Sequence, residues 1–320
     1  MPHVLIPDNV HQKAIDMVTN ANGLIVSAPG KLSQADLIAQ VGAANALIIR
    51  SGVKITPDVF AAAPNLSIVA RAGVGVDNID LESATEHGVV VVNTPGGNTI
   101  STAEHTFGLM LALARHIPQG HASLKAGRWD RKLFSGVELR GKTLGLVGFG
   151  RIGKAVAVRA KAFDMTVIAY DPEDSAFDDF DIERVDLDTL YAEADFISLH
   201  APIIDSTHGM INAESLAKMK DGVRIVNAAR GGLINDADLA EGIQSGKVIG
   251  AALDVFDPEP PADDNPLINL EGVIHTPHLA ASTSDAQITV AVEAAQLIID
   301  ALLHGSFENV VNPAVLETIG

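Results

Sequence analysis

An apolar segment that runs into three spaced glycines at mid-chain constrains this sequence more than any other feature. The segment is Lys142–Gly153, KTLGLVGFGRIG. Leu144–Val147 reads as a short buried strand, Gly148, Gly150 and Gly153 form a G-x-G-x-x-G turn, and a helical stretch follows. The glycines serve a tight turn, close backbone approach to a pyrophosphate, and close helix-on-strand packing. The helix N-terminus then presents unpaired N–H groups and a positive dipole end to phosphates. A second apolar strand, Val167–Tyr170, ends at Asp171, about 20 residues on, where a carboxylate binds a ribose 2′-hydroxyl. Glycine spacing alone is weak, but strand, turn, helix and acid together predict a dinucleotide-binding unit. Its mid-chain start predicts a unit of comparable size before it.

At 320 residues, 47% of them hydrophobic, the chain suits two domains that each bury a core. No apolar run reaches the ~18–20 residues of a membrane span, and Met1–Asp8 lacks a basic stretch followed by an apolar one. Cysteine is absent, which excludes disulfides, thiol catalysis and thiolate metal sites and agrees with a cytoplasmic location. The formal net charge of −18, from 22 Lys plus Arg against 40 Asp plus Glu, repels nucleic acid and anionic membranes. An anionic ligand therefore needs a local cationic pocket.

Short apolar strands alternate with helical segments throughout, the pattern of parallel sheets with crossover helices. In the first part the strands are Val4–Ile6, Leu24–Val26, Ala46–Ile49, Ile68–Ala70 and Val89–Val92. Helical stretches such as Gln34–Gln40 and Leu81–Glu86 separate them. Asn98–Ala114 reads as a long amphipathic helix with Thr99 or Ser101 as its cap. Pro118–Gly141 has no clear period and carries the only tryptophan, Trp129, among Lys125, Arg128, Arg131 and Lys132. An excursion of that length is functional or an interface. Strands of a second unit follow at Leu144–Val147, Val167–Tyr170, Phe196–Leu199, Arg224–Val226, Ile249–Leu253 and Val273–His275. Thr283–His304 is a helical run of roughly six turns, long enough to return to the first unit and make it discontinuous.

Ligands of open α/β sheets bind beyond the carboxyl ends of strands, so the residues there are the candidates for chemistry. His200-Ala201-Pro202 follows one strand, Asn227–Gly232 with Arg230 another, and Asp254 a third. Glu259 comes soon after Asp254, and His278 follows the last strand. Singly, Arg230 reads as a surface ion-pair residue, Glu259 as a solvated loop acid and His278 as a satisfied loop histidine. Together, at matching strand ends, they make an acid–base set.

Several strings resemble the D-isomer-specific 2-hydroxyacid dehydrogenase family: RAGVGVDNID (Arg71–Asp80), NTPGGNTISTAEH (Asn93–His105), GKTLGLVGFGRIG, VNAARGG (Val226–Gly232), ALDVF with EPP, and TPHLAAST (Thr276–Thr283). The resemblance covers essentially the whole chain, and the Arg71 and Asn93 strings with Trp129–Lys132 tilt it toward the phosphoglycerate branch. It implies an α/β fold of two doubly wound parallel-sheet domains. A Rossmann NAD-binding domain, 98–285, would be inserted into a discontinuous flavodoxin-like substrate domain, 1–97 and 286–320. It also implies oxidation of 3-phospho-D-glycerate to 3-phosphohydroxypyruvate, the entry to serine biosynthesis, at a site between the domains. Closure would hinge near 93–98 and 281–286.

The resemblance further implies that Arg230 grips the substrate carboxylate and His278 is the general acid/base. Glu259 would orient the imidazole and stabilise its protonated form. A planar guanidinium matches a carboxylate at two points, and histidine suits proton transfer near neutrality. Arg151 and Ile152 would meet the cofactor pyrophosphate and Asp171 its ribose. His200, Ala201, Pro202 and Thr207 would lie along the adenosine. Ala228, Arg230, His278 and Ala280 would surround the nicotinamide, with Asp254 on its carboxamide. Asp171, with Pro172 next and no Arg nearby in sequence, favours NAD over NADP.

On the substrate side, Gly73, Val74 and Gly75 offer backbone N–H groups as an anion nest. Arg50, Arg71, Arg131 and Lys132 are the candidates for a substrate phosphate, the last two reaching across a homodimer; as a solvated basic turn they would do nothing of the kind. Ser51, Asn93 and Asn98 are further candidates. Ala280 departs from the glycine common in the family after His-Leu. The chain ends at Gly320, so a C-terminal sensing domain, and serine feedback through one, are not expected. Two other readings stay open: a glyoxylate or hydroxypyruvate reductase with the same triad and no phosphate pocket, and an NAD-sensing co-regulator. No histidine pair at i, i+4 flanks a glutamate, so no metal is expected.

Overall fold

The computed structural model describes residues 1–178 and 180–319; Gly320, which closes the expected substrate domain, lies outside them. The chain divides into two compact units, Met1–Asn98 with Thr283–Gly320, and Thr99–Ser282. The first unit begins with β1 (His3–Leu5), β2 (Ile25–Ser27), β3 (Ala46–Ile49), β4 (Ile68–Arg71) and β5 (Val90–Asn93). Between these strands run α1 (Gln12–Asn20), α2 (Gln34–Gln40), α3 (Pro57–Ala61) and α4 (Leu81–Glu86). The second unit opens with α5 (Thr99–Arg115) and α6 (Ile117–Lys125), then β6 (Thr143–Val147), α7 (Arg151–Ala162), β7 (Thr166–Tyr170) and the short β8 (Glu183–Arg184). It continues through α8 (Leu187–Glu193), β9 (Phe196–Leu199), α9 (Ala213–Lys218), β10 (Val223–Asn227), α10 (Asp236–Gln244), β11 (Val248–Leu253) and β12 (Val273–His275). The chain closes with α11 (Ser284–Ile299) and α12 (Leu316–Ile319), which belong to the first unit.

Every strand pairing in both sheets is parallel. The first sheet has the order β2-β1-β3-β4-β5, the flavodoxin-like arrangement. The second has the order β12-β11-β10-β9-β6-β7-β8, a doubly wound sheet whose direction of growth reverses between β6 and β9. Both sheets are covered on both faces, which is why the strands read as continuous apolar runs. Alternate residues feed different cores. In the first sheet Val4, Ile48, Ala70 and Val92 pack with α1 and α11, whereas Leu5, Leu47, Val69 and Val91 pack with α2, α3 and α4. In the second, Leu144, Leu146 and Val226 meet α5 and α7, and Val147, Ile197 and Ile225 meet α8, α9 and α10.

Three expectations change. Residues 284–304 form one helix, with its last turn widened to π geometry at Asp300–His304, and it is long and apolar enough to cross a membrane by length and composition. Its composition reflects burial: Ala291, Ala294, Ala295 and Ile298 are fully buried on the first sheet. Neither Thr99 nor Ser101 caps α5; both lie inside it, and the Thr99 hydroxyl has no hydrogen-bond partner. The excursion is not aperiodic, because it contains α6 and a 3-10 turn at Arg131–Phe134. Pro118 hid α6 by sitting in its first turn, where proline is tolerated.

The C-terminal segment is stitched to the outer strand of the first sheet. Val310 bridges Val92 antiparallel, and Val311 N–H donates to Val91 O at 2.8 Å. Asn312 then acts as a strand would: its Oδ1 accepts from Val91 N (2.8 Å), and its Nδ2 donates to Val89 O and Thr85 Oγ1, both at 3.0 Å.

Candidate active site

The glycine turn sits at the reversal point of the second sheet. Gly148 has φ +95°, and an added Cβ would lie 2.7 Å from the His200 carbonyl, so only glycine fits. At Gly153 a Cβ would strike the Gly148 carbonyl, and α7 therefore rests directly on the turn. Gly150 differs: nothing stands within 4 Å of its Cβ position, and it caps α7 without any side-chain hydrogen bond. Uncrowded backbone beside uncapped helix N–H groups is what a pyrophosphate requires. Arg151, exposed, and Ile152, half-buried, form the first turn of α7.

Asp171 follows β7, with Oδ2 accepting from Phe149 N at 2.7 Å and Oδ1 from Glu173 N at 3.0 Å. Its carboxylate is thus tied to the glycine turn itself. The sequence shows no arginine near it, but β8 brings one: Arg184 reaches the Asp171 carbonyl at 3.5 Å and ion-pairs with Asp174. After β9, burial pushes the His200 imidazole down to about 4 from 6.5, so it is neutral at physiological pH, with Nε2 2.9 Å from Ser198 Oγ. Ala201 and Pro202 open the loop that follows. The Thr207 hydroxyl is spent inside that loop, donating to Pro202 O (2.6 Å) and accepting from Ile204 N (2.9 Å).

Arg230, Glu259 and His278 follow β10, β11 and β12, three neighbouring strands at the edge of the second sheet. Fully buried Asn227 shapes the Arg230 turn, accepting from Ala229 N (3.0 Å) and donating to Arg230 O (2.8 Å). Ala228 is buried within it. Gly231 has no room for a Cβ, which would strike the Phe256 backbone, so this turn and the segment leading to Glu259 lie in contact. Glu259 Oε2 is 2.7 Å from His278 Nδ1, and its Oε1 accepts from Phe256 N at 3.1 Å. With Nδ1 engaged, Nε2 is the nitrogen left for proton transfer. A cavity of about 480 Å³ adjoins the pair, lined by Phe256, Pro260, Pro261, Ile268 and His275.

Asp254, fully buried, takes a larger part than its place in the sequence suggests. Oδ1 accepts from Thr276 Oγ1 (2.6 Å), Leu279 N (2.8 Å) and His105 Nε2 (3.2 Å), and Oδ2 accepts from Ala280 N (2.8 Å). Burial pushes this carboxyl up, but those hydrogen bonds outweigh it and leave the group below the ordinary carboxylate value. Sequence reasoning missed His105, Thr276 and Asn227. The string STAEH holds His105, but nothing local ties it to a residue 149 positions away.

The remaining candidates belong to the first unit or to the excursion. Arg50 and Ser51 follow β3 in a loop that buried Asp8 organises, its Oδ2 accepting from Arg50 N and Gly52 N, both at 2.9 Å. Arg71 ends β4, and its guanidinium occupies the space a Gly73 Cβ would need. Of the Gly73, Val74 and Gly75 backbone donors, the Gly73 N–H is already engaged, donating to Thr94 Oγ1 at 2.7 Å. The Asn93 amide is likewise spent, on Val74 O at 2.7 Å. Asn98 Oδ1 is a buried acceptor without a partner. Arg131 and Lys132 are exposed on the 3-10 turn.

Known proteins resemble this chain in sequence and in fold. The family model described as D-isomer specific 2-hydroxyacid dehydrogenase, NAD binding domain, matches residues 107–280. The D-3-phosphoglycerate dehydrogenase of Archaeoglobus fulgidus is 48% identical over 316 residues, covering 98% of this chain and 60% of that protein. The chain thus spans about 60% of the length of such relatives. The hydroxypyruvate reductase of Thermotoga maritima is 49% identical over 297 residues, covering 92% of this chain and 96% of that one. Among solved structures, the TT0316 protein from Thermus thermophilus superposes with a TM-score of 0.88 at 37% identity, covering 97% of this chain and 99% of that one.

Proposed function

The chain belongs to the D-isomer specific 2-hydroxyacid dehydrogenase family, and from that premise we propose that it oxidises 3-phospho-D-glycerate to 3-phosphohydroxypyruvate with NAD. The observation that carries the reading is the His278–Glu259 pair at 2.7 Å, set one strand from Arg230. Bound on the glycine turn, the nicotinamide dinucleotide supplies the hydride acceptor. Arg230 holds the substrate carboxylate and polarises the C2 oxygen through its planar fork. His278 Nε2 takes the C2 hydroxyl proton as the hydride leaves C2. Glu259 fixes the ring through Nδ1 and balances the charge the imidazole acquires. The Asp171 carboxylate disfavours a 2′-phosphate, which supports NAD as the dinucleotide.

A second reading rests on the Thermotoga hydroxypyruvate reductase, which the chain matches over nearly that protein's whole length. Both readings use the same triad, and they differ in the need for cations at a substrate phosphate. The deciding experiment measures NADH formation with phosphoglycerate, glycerate, lactate and 2-hydroxyglutarate, in wild type and in Arg50→Gln, Arg71→Gln and Arg131→Gln. Selective loss of phosphoglycerate turnover supports the first reading; untouched phosphoglycerate turnover sinks it.

We also propose a cytoplasmic homodimer in which α6 and the following turn form the contact. Trp129 is 79% and Leu133 73% exposed there, an apolar surface that a second copy would cover. Light scattering on wild type and Trp129→Glu tests it, with a monomeric wild type as the contrary result.

A further inference from the structure

Beyond the triad, a histidine from α5 is fastened to the carboxylate that holds the catalytic loop. His278 sits in a left-handed backbone conformation, φ 53°, which costs energy for any non-glycine residue and persists only when neighbours impose it. The neighbour that imposes it is Asp254. Its main-chain oxygen accepts from His278 N at 2.8 Å, while its carboxylate accepts from Leu279 N and Ala280 N, also at 2.8 Å. Three successive amides of the loop therefore converge on one residue.

That carboxylate is itself set by side chains. Thr276 Oγ1 donates to Oδ1 at 2.6 Å, which spends its hydrogen and leaves its oxygen an acceptor. His105 Nε2 lies 3.2 Å from both Asp254 Oδ1 and Thr276 Oγ1. Both partners accept, so Nε2 carries the hydrogen, a tautomer fixed by the network. α5 packs on β10, β11 and β12 and so supplies a fixed platform for that donor.

We propose that His105 is a positioning residue for the dehydrogenase reaction: it braces Asp254 and Thr276 from α5, so that Asp254 holds the 276–280 loop with His278 aimed at Glu259. The hydrogen bonds of His105 go to Asp254 and Thr276, not to the acid–base pair. It acts through Asp254, which is thereby a strut for the loop whatever it contributes to the cofactor. The inference rests on the function proposed above, in which His278 moves the proton.

The experiment compares wild type, His105→Leu and His105→Gln. Glutamine keeps an N–H donor at the end of the side chain, and leucine does not. With the 2-hydroxy acid that wild type oxidises best, His105→Leu should lose ~10- to ~100-fold in kcat, the range for small misplacement of a reacting group. KM for substrate and NADH affinity by fluorescence titration should stay within about twofold of wild type, since no binding contact is removed. His105→Gln should recover most of the lost kcat. Amide hydrogen exchange across 276–282 should rise in His105→Leu and stay near wild type in His105→Gln, and this reading needs no turnover. Unchanged kcat with unchanged exchange in His105→Leu would overturn the proposal. So would equal losses in both variants with equal drops in Tm, which describe a packing role, or a loss confined to NADH affinity. A wild type that turns over no 2-hydroxy acid defeats the dehydrogenase reading instead, and the exchange measurement still decides whether His105 braces the loop.

Discussion

Glu259 reaches His278 with one carboxylate oxygen, 2.7 Å from Nδ1, while the other oxygen is fixed by the Phe256 amide at 3.1 Å. The acid is therefore a fixed bracket rather than a mobile loop carboxylate, and it selects which imidazole nitrogen stays available.

That geometry predicts the consequence of removing the base. His278→Gln should lower kcat by ~10²–10⁴-fold while leaving NADH affinity near wild type. Steady-state kinetics beside fluorescence titration of NADH check it, and a variant that retains kcat removes His278 from the mechanism.

Asp171 is expected to control cofactor choice. If Asp171 binds the ribose, Asp171→Ala should cut kcat/KM for NAD by roughly 10- to 100-fold. Turnover with NADP should rise, because Arg184 remains beside the Asp171 backbone without the carboxylate to repel a 2′-phosphate. The ratio of kcat/KM for the two cofactors is the measurement, and an unchanged ratio counts against this role.

Acid stability should carry the mark of His200. Burial holds its folded value at about 4 against 6.5 for the ordinary group, so between those limits the unfolded chain binds a proton that the folded chain refuses. The contribution is full above 6.5 and is lost as pH falls toward 4. His200→Gln should therefore show a shallower fall of Tm across that window, by calorimetry, than wild type. Parallel profiles would exclude His200 as a source of the acid sensitivity.

Asn312 fastens the C-terminal segment to the first sheet with three hydrogen bonds, to Val91 N, Val89 O and Thr85 Oγ1. Asn312→Ala leaves those buried groups unmatched and should destabilise the first unit by about 2–4 kcal/mol. Asn312→Asp keeps one acceptor but loses both donors and should fall in the same range. Urea unfolding measures this, and a change within error would mean that water or neighbouring groups replace the amide.

Much of this protein is legible along the chain. Strands β3 and β12 fall where apolar runs placed them, and α2 and α4 where the helical pattern did, because burial on both faces of a parallel sheet leaves an unbroken local record. The excursion misled because α6 carries a proline in its first turn, and β8 escaped notice because two exposed residues, Glu183 and Arg184, carry no apolar signal. At Gly73 the record is silent for a different reason: Thr94, 21 residues on, takes the amide that local geometry leaves open.

By itself, then, the sequence determined the α/β class, the glycine turn, the acid after β7, and the three strand ends that carry Arg230, Glu259 and His278. Each of these is written in short-range periodicity or in the spacing of a few residues. Only the tertiary structure decided which groups meet: Arg184 beside Asp171, His105 against Asp254, Asn312 across Val89 and Val91. Hydrogen bonds need partners within about 3 Å, and no pattern along the chain specifies which distant residues folding will bring that close.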